Sequence, residues 1–124
     1  RVIYEQRRFE EAYAFTEASA EEAALEDVVT KIGWRAVTAR ILVGQGHLGE
    51  GEKPAREAVT LAEGTDLLSD RGDALLDLAE VLRASARLEE AGAAGRRALS
   101  LFERKGNLVG AEKARSLLAE LAPV

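Results

Sequence analysis

Residues 67–106 read LLSDRGDALLDLAEVLRASARLEEAGAAGRRALSLFERKG, and residues 27–66 read DVVTKIGWRAVTARILVGQGHLGEGEKPAREAVTLAEGTD. Laid over each other at an offset of 40, the two segments share eight identities: Ala39/Ala79, Leu42/Leu82, Leu48/Leu88, Glu50/Glu90, Arg56/Arg96, Ala58/Ala98, Leu61/Leu101 and Glu63/Glu103. Ile41/Val81, Val59/Leu99, Gly44/Ala84, Gly46/Ala86 and Gly51/Ala91 match in size. A small residue (Ala39, Ala79) stands midway along a long helical stretch, where a neighbouring helix can come close. A second small residue (Gly46, Ala86) falls at the end of that stretch, and a leucine follows two residues later. The pairs Gly51/Ala58 and Ala91/Ala98 are then seven apart, two helical turns, and so share one helix face. Each unit therefore reads as a helix, a tight turn and a second helix folded back on the first.

The register continues both ways. Phe9, Ala12 and Ser19 precede Leu48, Gly51 and Ala58 by 39 residues, while Leu108, Ala114, Leu118, Ala119 and Glu120 follow Leu68, Ala74, Leu78, Ala79 and Glu80 by 40. The expected map is a helical stub over 1–6, its partner over 9–22, complete pairs over 27–45 with 49–63 and 67–85 with 88–104, and a last helix over 108–121 stopped by Pro123. One repeat domain is expected over 1–124: a partial repeat 1–26, full repeats 27–66 and 67–106, and a final helix 107–121. Such a chain reads as a piece of something longer. Asn107 can cap the last helix, Gly106 suits a left-handed exit from the helix before it, and Asp66 or Thr65 can cap the helix near Leu67. Pro54 is harmless if its helix starts near Gly51 and disruptive if it starts near Gly49.

Composition agrees with an all-α fold. Hydrophobic residues make up 47% and charged residues 31%, but alanine and leucine dominate and aromatics reach only 5%, a mixture that loses little side-chain freedom in helices. The longest β-branched run is Val28-Val29-Thr30. The absence of cysteine excludes disulfides, thiolate catalysis and cysteine-held metals. No run of about 18 apolar residues offers a membrane span, and a cytoplasmic location is expected.

The small–leucine–small–small spacing of Ala39/Ala79, Leu42/Leu82, Gly46/Ala86, Leu48/Leu88, Gly51/Ala91 and Ala58/Ala98 resembles the tetratricopeptide repeat (TPR). The resemblance implies a right-handed α-α superhelix, a solenoid of antiparallel helix pairs, here with a period of 39–40 rather than the usual ~34. Glu63 and Glu103 stand where the family places a proline. Asp27-Val28-Val29 through Trp34-Arg35, Asp73 through Leu82, and Glu103-Arg104-Lys105-Gly106-Asn107 are similar to the C-terminal repeat region of bacterial multidomain regulators. There an adenylate or guanylate cyclase domain, or a DNA-binding domain, precedes a P-loop ATPase and then the repeats. On that resemblance any catalytic parts lie elsewhere in the protein.

Chemistry is sparse in the sequence itself. His47 is the only histidine and reads as a solvated turn residue, since Glu50 and Glu52 alone do not complete a zinc site. Gly44 to Gly49 spell GxGxxG, but the segment follows a helix where a dinucleotide site needs a strand. Asp70, Asp73 and Asp77 share a helix face that reads as wet and charged. Arg96-Arg97 with Arg104-Lys105 suggests a basic patch, with only Phe102 available to stack a base, and a solvated face is the expected reading. The net charge of −5 also weighs against nucleic acid. Trp34 packs between repeats if buried and anchors a partner if open.

The expected function is that of a non-catalytic scaffold for protein–protein interaction, without cofactor, metal, nucleic acid or membrane. The alternative is an intramolecular sensor or spacer arm that transmits a signal to an upstream ATPase, cyclase or DNA-binding domain. In stacked helix pairs the first helices line a concave face. Carried over by register, the partner-binding candidates are Ala36, Arg40, Val43, Asp73, Leu76, Glu80, Arg83, Lys113, Ser116 and Glu120. Self-association through exposed repeat ends is expected as well, with Ile3, Tyr4 and Tyr13 uncovered at one end and Leu117, Leu118 and Leu121 at the other.

Overall fold

The computed structural model describes the backbone of residues 2–122 and the side chains of residues 20–122. Five helices occur among them: α1 (Val2–Gly44), α2 (Leu48–Glu63), α3 (Leu68–Ala84), α4 (Leu88–Lys105) and α5 (Leu108–Leu121), with no strand. The protein is all-α. Two compact units divide the chain, residues 1–30 and residues 31–124. In the first, the side chains of residues 20–30 are exposed apart from a half-buried Val28, and Leu25 and Val29 are among the exposed ones.

The turns expected at 7–8 and 23–26 do not form, because α1 runs through both. The reason is local: residues 1–32 contain neither glycine nor proline, so nothing interrupts a run of good helix formers. Ile3, Tyr4 and Tyr13 carry side chains outside the described residues. From residue 48 onward the boundaries fall within a residue of expectation, and the four helices start on Leu48, Leu68, Leu88 and Leu108 at intervals of 20.

Three of the connections share one design. The N–H of His47 donates to the carbonyl of Leu42 at 2.8 Å, that of Arg87 to Leu82 at 2.9 Å and that of Asn107 to Phe102 at 2.8 Å. One residue earlier, the N–H groups of Gly46, Ala86 and Gly106 donate to Val43, Arg83 and Glu103. These are left-handed helix exits that satisfy otherwise unpaired carbonyls, and φ is +84°, +62° and +79° at Gly46, Ala86 and Gly106. Asn107 then caps α5 by accepting from the N–H of Gly110 at 2.9 Å. The 64–67 connection is built differently. Neither Asp66 nor Thr65 caps α3, whose N-cap is Leu67. Instead the Thr65 hydroxyl donates to the Ala62 carbonyl at 2.8 Å and accepts from the Leu67 N–H at 3.3 Å. Pro54 lies inside α2, well past the first turn, because that helix begins at Leu48.

Small residues set the packing of the second unit. Ala39, Ala55, Ala58, Ala62, Ala79, Ala91, Ala98 and Ala114 are all buried to 1% exposure or less, so helix backbones approach closely where alanine faces alanine. Gly51 continues this: a Cβ there would lie 3.0 Å from Val43 and 3.2 Å from the Ala39 carbonyl. Leu75, Leu82 and Phe102 are the largest fully buried side chains. Leu117, expected at an exposed end, is 3% exposed and packs with Ala79 and Ala94. Leu118 and Leu121 are half-buried, and Leu108 and Val109 are the exposed large hydrophobic residues of α5 instead.

Candidate functional site, a groove along the odd-numbered helices

A concavity of the second unit, about 750 Å³, is walled by residues of α1, α3 and α5. Arg40 comes from α1, and Asp73, Leu76, Asp77 and Glu80 from α3. Val109, Glu112, Lys113, Ser116, Leu117 and Glu120 come from α5. Helices of the same repeat position thus meet along one side, because each even-numbered helix turns the chain back before the next odd-numbered one begins.

Seven of the ten residues assigned to a partner face by register line this groove: Arg40, Asp73, Leu76, Glu80, Lys113, Ser116 and Glu120. Three do not. Ala36 is buried, Val43 packs toward Gly51 of α2, and Arg83 is held at the edge by ion pairs with Glu120 and with Glu80 at 3.9 Å. Ala36, Ala39 and Val43 recur at helical spacing on the side of α1 that meets α2, so packing claims them. Register overlooked Asp77, Val109, Glu112 and Leu117. The signal for Asp77 was present, since it lies one turn beyond Asp73 on the acidic face.

Electrostatically the groove is acidic: five lining carboxylates face two cations, Arg40 and Lys113. One nitrogen of the Arg40 guanidinium, Nη2, donates to both oxygens of Asp77, at 3.0 and 3.1 Å, bridging α1 and α3. Desolvation by the groove walls pushes the Asp77 pKa up, against the pull of Arg40 and Lys113. The Asp73 carboxyl is also pushed up, first by desolvation and then by repulsion from Asp77 and Asp70, with Lys113 and Arg40 opposing. Both shifts disfavour negative charge in the groove, and an incoming cation would relieve them. Leu76 and Leu117 supply an apolar floor between the charges.

The other sequence candidates fall elsewhere. The GxGxxG segment is the left-handed turn between α1 and α2, where the N–H groups of Gln45, Gly46 and His47 are already bonded to helix carbonyls. A phosphate cradle needs those N–H groups free. His47 is an exposed turn residue, and among the described residues no three His, Cys, Asp or Glu side chains converge as a metal site. Phe102 is 0% exposed and presents no ring to a base. Arg97 pairs with Glu63 at 3.0 Å, while Arg104 and Lys105 stay exposed on the last turn of α4. Trp34 is 73% exposed, so it packs between no helices. No helix among the described residues is long and apolar enough to cross a membrane. No protein-family model matches the chain, and no curated protein matches its sequence.

Proposed function

We propose that this chain is a TPR-like α-α superhelix acting as a non-catalytic interaction module, and that its groove holds a basic peptide segment. The observation that carries the reading is the excess of carboxylates over cations along a cavity with an apolar floor, formed by helices of the same repeat position. Open and lined by three helices, the groove fits a chain segment better than a compact metabolite. Two desolvated carboxylates, Asp73 and Asp77, favour a partner that brings lysine or arginine. Apolar side chains of the same segment would rest on Leu76 and Leu117. On the resemblance to bacterial regulators, the module serves a catalytic or DNA-binding domain carried elsewhere in the protein.

The test is amide-shift mapping by NMR with Lys/Arg-rich and Asp/Glu-rich peptide pools. Shifts with the basic pool alone, gathered on residues 31–44, α3 and α5 and weakened by salt, are the expected result. No shifts with either pool, or shifts gathered on α2 and α4, would defeat the groove reading and favour the sensor-arm alternative.

A further inference from the structure

Two ion pairs join the even-numbered helices in a fixed register. Arg56 of α2 pairs with Glu90 of α4 at 3.3 Å, and Glu63 of α2 with Arg97 of α4 at 3.0 Å. Both pairs span 34 residues, so α2 and α4 run parallel, and Glu90 and Arg97, two turns apart, form one edge of α4. The α2 half of this template stands on α4 as well, where Arg96 and Glu103 repeat Arg56 and Glu63 at the offset of 40. There it is largely unused. Among the described residues Arg96 forms no ion pair, and Glu103 reaches Arg115 of α5 at 3.4 Å. The local acid is missing too. In α2, Glu52 holds Arg56 at 2.7 Å; the matching residue of α4 is Gly92, and the Arg96 guanidinium lies 3.1 Å from where a Cβ at Gly92 would be.

Apolar surface lies beside these charges. Gly92 and Arg96 of α4, with Leu118, Leu121 and Ala122 at the end of α5, line a slot of about 580 Å³ that has Leu88 and Glu89 on its rim. Leu118 and Leu121 are half-buried and Ala122 is exposed. Their counterparts in α3, Leu78, Val81 and Leu82, are 6%, 4% and 2% exposed, and α3 packs chiefly against α4. A helix in the slot would thus stand to α5 as α4 stands to α3, and to α4 as α4 stands to α2. The hairpin that folds α4 back onto α3 is not repeated here. α3 continues to Ala84 before it turns, a point that falls at 124 in the register of α5. Pro123 lacks the N–H that a helix needs there, and α5 stops at Leu121 with Ala122 extended.

We infer that this slot receives a helix of a partner protein, seated where a further even-numbered helix would stand. Its chemistry is read from α4. The partner helix runs parallel to α4 and carries an acid to meet Arg96 and, seven residues later, a base to meet Glu103. Beside them it carries a face of small residues, as Ala91, Ala94 and Ala98 form in α4, where they are 0%, 6% and 0% exposed. Small residues let its backbone settle onto Leu118 and Leu121 as that of α4 settles onto α3. The slot shares no lining residue with the acidic groove, so the two surfaces take different partners.

The probe is a labelled peptide of residues 88–103, the sequence of α4 itself. A hydrocarbon staple replaces its Glu89 and Ala93, both exposed in α4, so that it enters the test already helical. Its Glu90 and Glu103 then balance its Arg96 and Arg97, and the acidic groove finds no net charge to attract. Fluorescence anisotropy should show saturable one-to-one binding to the full chain. Arg96→Glu in the chain should weaken it about tenfold, and Glu90→Lys in the probe should do the same. The two changes together should recover most of the loss. No saturable binding overturns the inference, and so does binding indifferent to Arg96→Glu. Binding weakened by Asp73→Asn instead would place the probe in the groove and overturn it as well. Sedimentation velocity supplies the last arm: a dimer of the chain alone that Arg96→Glu dissociates would give the slot to a second copy and defeat the assignment to a partner.

Discussion

The ring of Phe102 in α4 occupies the space that a side chain at Gly110 in α5 would need. A Cβ at Gly110 would meet ring atoms Cγ, Cδ1 and Cε1, and a Cβ at Gly72 in α3 would come within 2.7 Å of Cε1. One aromatic side chain thus joins three helices through two glycines, and the ring is fully buried. Elsewhere in the core, many of the buried residues are alanines, which bring little area, and Leu75 and Leu82 are the other large fully buried side chains. Phe102 adds aromatic area where three helices meet, and the glycines supply the room.

Alanine at Gly72 or Gly110 is therefore expected to destabilise the fold by about 1–3 kcal/mol. This runs against the ~1 kcal/mol that alanine gains over glycine in a helix. Gly49 is the control, a helical glycine with open space around its would-be Cβ, and Gly49→Ala should leave stability unchanged or raise it by up to ~1 kcal/mol. Urea denaturation of the three variants checks the contrast. Equal effects at Gly72, Gly110 and Gly49 would show that the Phe102 slot is not tight.

Ala86 holds φ at +62° in a turn whose counterparts at 46 and 106 are glycines at +84° and +79°. An L-residue in that region costs about 1–2 kcal/mol, and Ala86 is exposed, so its methyl contributes no packing in return. Ala86→Gly should stabilise the fold, by roughly 1 kcal/mol less what the added freedom of the unfolded chain takes back, and so raise the thermal midpoint. Gly46→Ala should lower it by a similar amount. Matching shifts of one sign at the two positions would contradict the shared turn.

The turns were the most legible part of the sequence, because their chemistry is local. Gly46, Gly106 and Asn107 act where glycine and asparagine act in any helix exit or cap, and the 40-residue register placed Gly46 and Ala86 in equivalent turns. The helix starts at Leu48, Leu68, Leu88 and Leu108 show a finer spacing of 20 that identity counting obscured, since each alternate helix buries a different face. Reading failed where a partner decides. Trp34 and Leu117 are both large apolar residues on helices, but only Leu117 has Ala79 and Ala94 beside it. The continuity of α1 through 23–26 was missed because repeat matching asked for a turn that no glycine or proline supplies. Ala36 and Val43 were drawn into the groove by register, although their faces turn toward α2.

Asp73 is crowded by Asp77 and Asp70, and no hydrogen bond is formed for its carboxylate among the described contacts. Its pKa is raised on folding, so the folded chain holds that proton more tightly than the unfolded chain. Stability then falls as pH rises through the window between the ordinary aspartate value and the raised one. Asp73→Asn keeps helix propensity nearly constant and removes the charge. The variant should be a few tenths of a kcal/mol more stable at neutral pH, solvent screening keeping the gain small. That advantage should shrink as acid protonates Asp73 in the parent. Denaturant midpoints at a series of pH values read it directly, and an advantage that grows on acidification would reverse the assigned sign.

Glu52 carries the opposite sign. It lies between two arginines, taking a hydrogen bond from Arg56 at 2.7 Å and pairing with Arg87 of the 85–87 turn, while Glu90 of α4 closes the square with Arg56 at 3.3 Å and with Arg87. The Arg56 hydrogen bond, opposed by desolvation and assisted by the charge of Arg87, holds the Glu52 carboxyl below its ordinary value. A depressed carboxylate adds stability above its unfolded pKa and loses it as pH falls through the folded one. The network joins α2 to α4 across a half-exposed surface, where such pairs contribute about 0.5–1 kcal/mol. Glu52→Gln should cost that much at neutral pH, and the deficit should shrink below the glutamate range and in molar salt. Asp73→Asn and Glu52→Gln thus deviate from the parent in opposite directions at neutral pH, and both gaps narrow on acidification. A Glu52→Gln deficit that persists in acid would mean that packing of the side-chain stem, rather than its charge, ties α2 to α4.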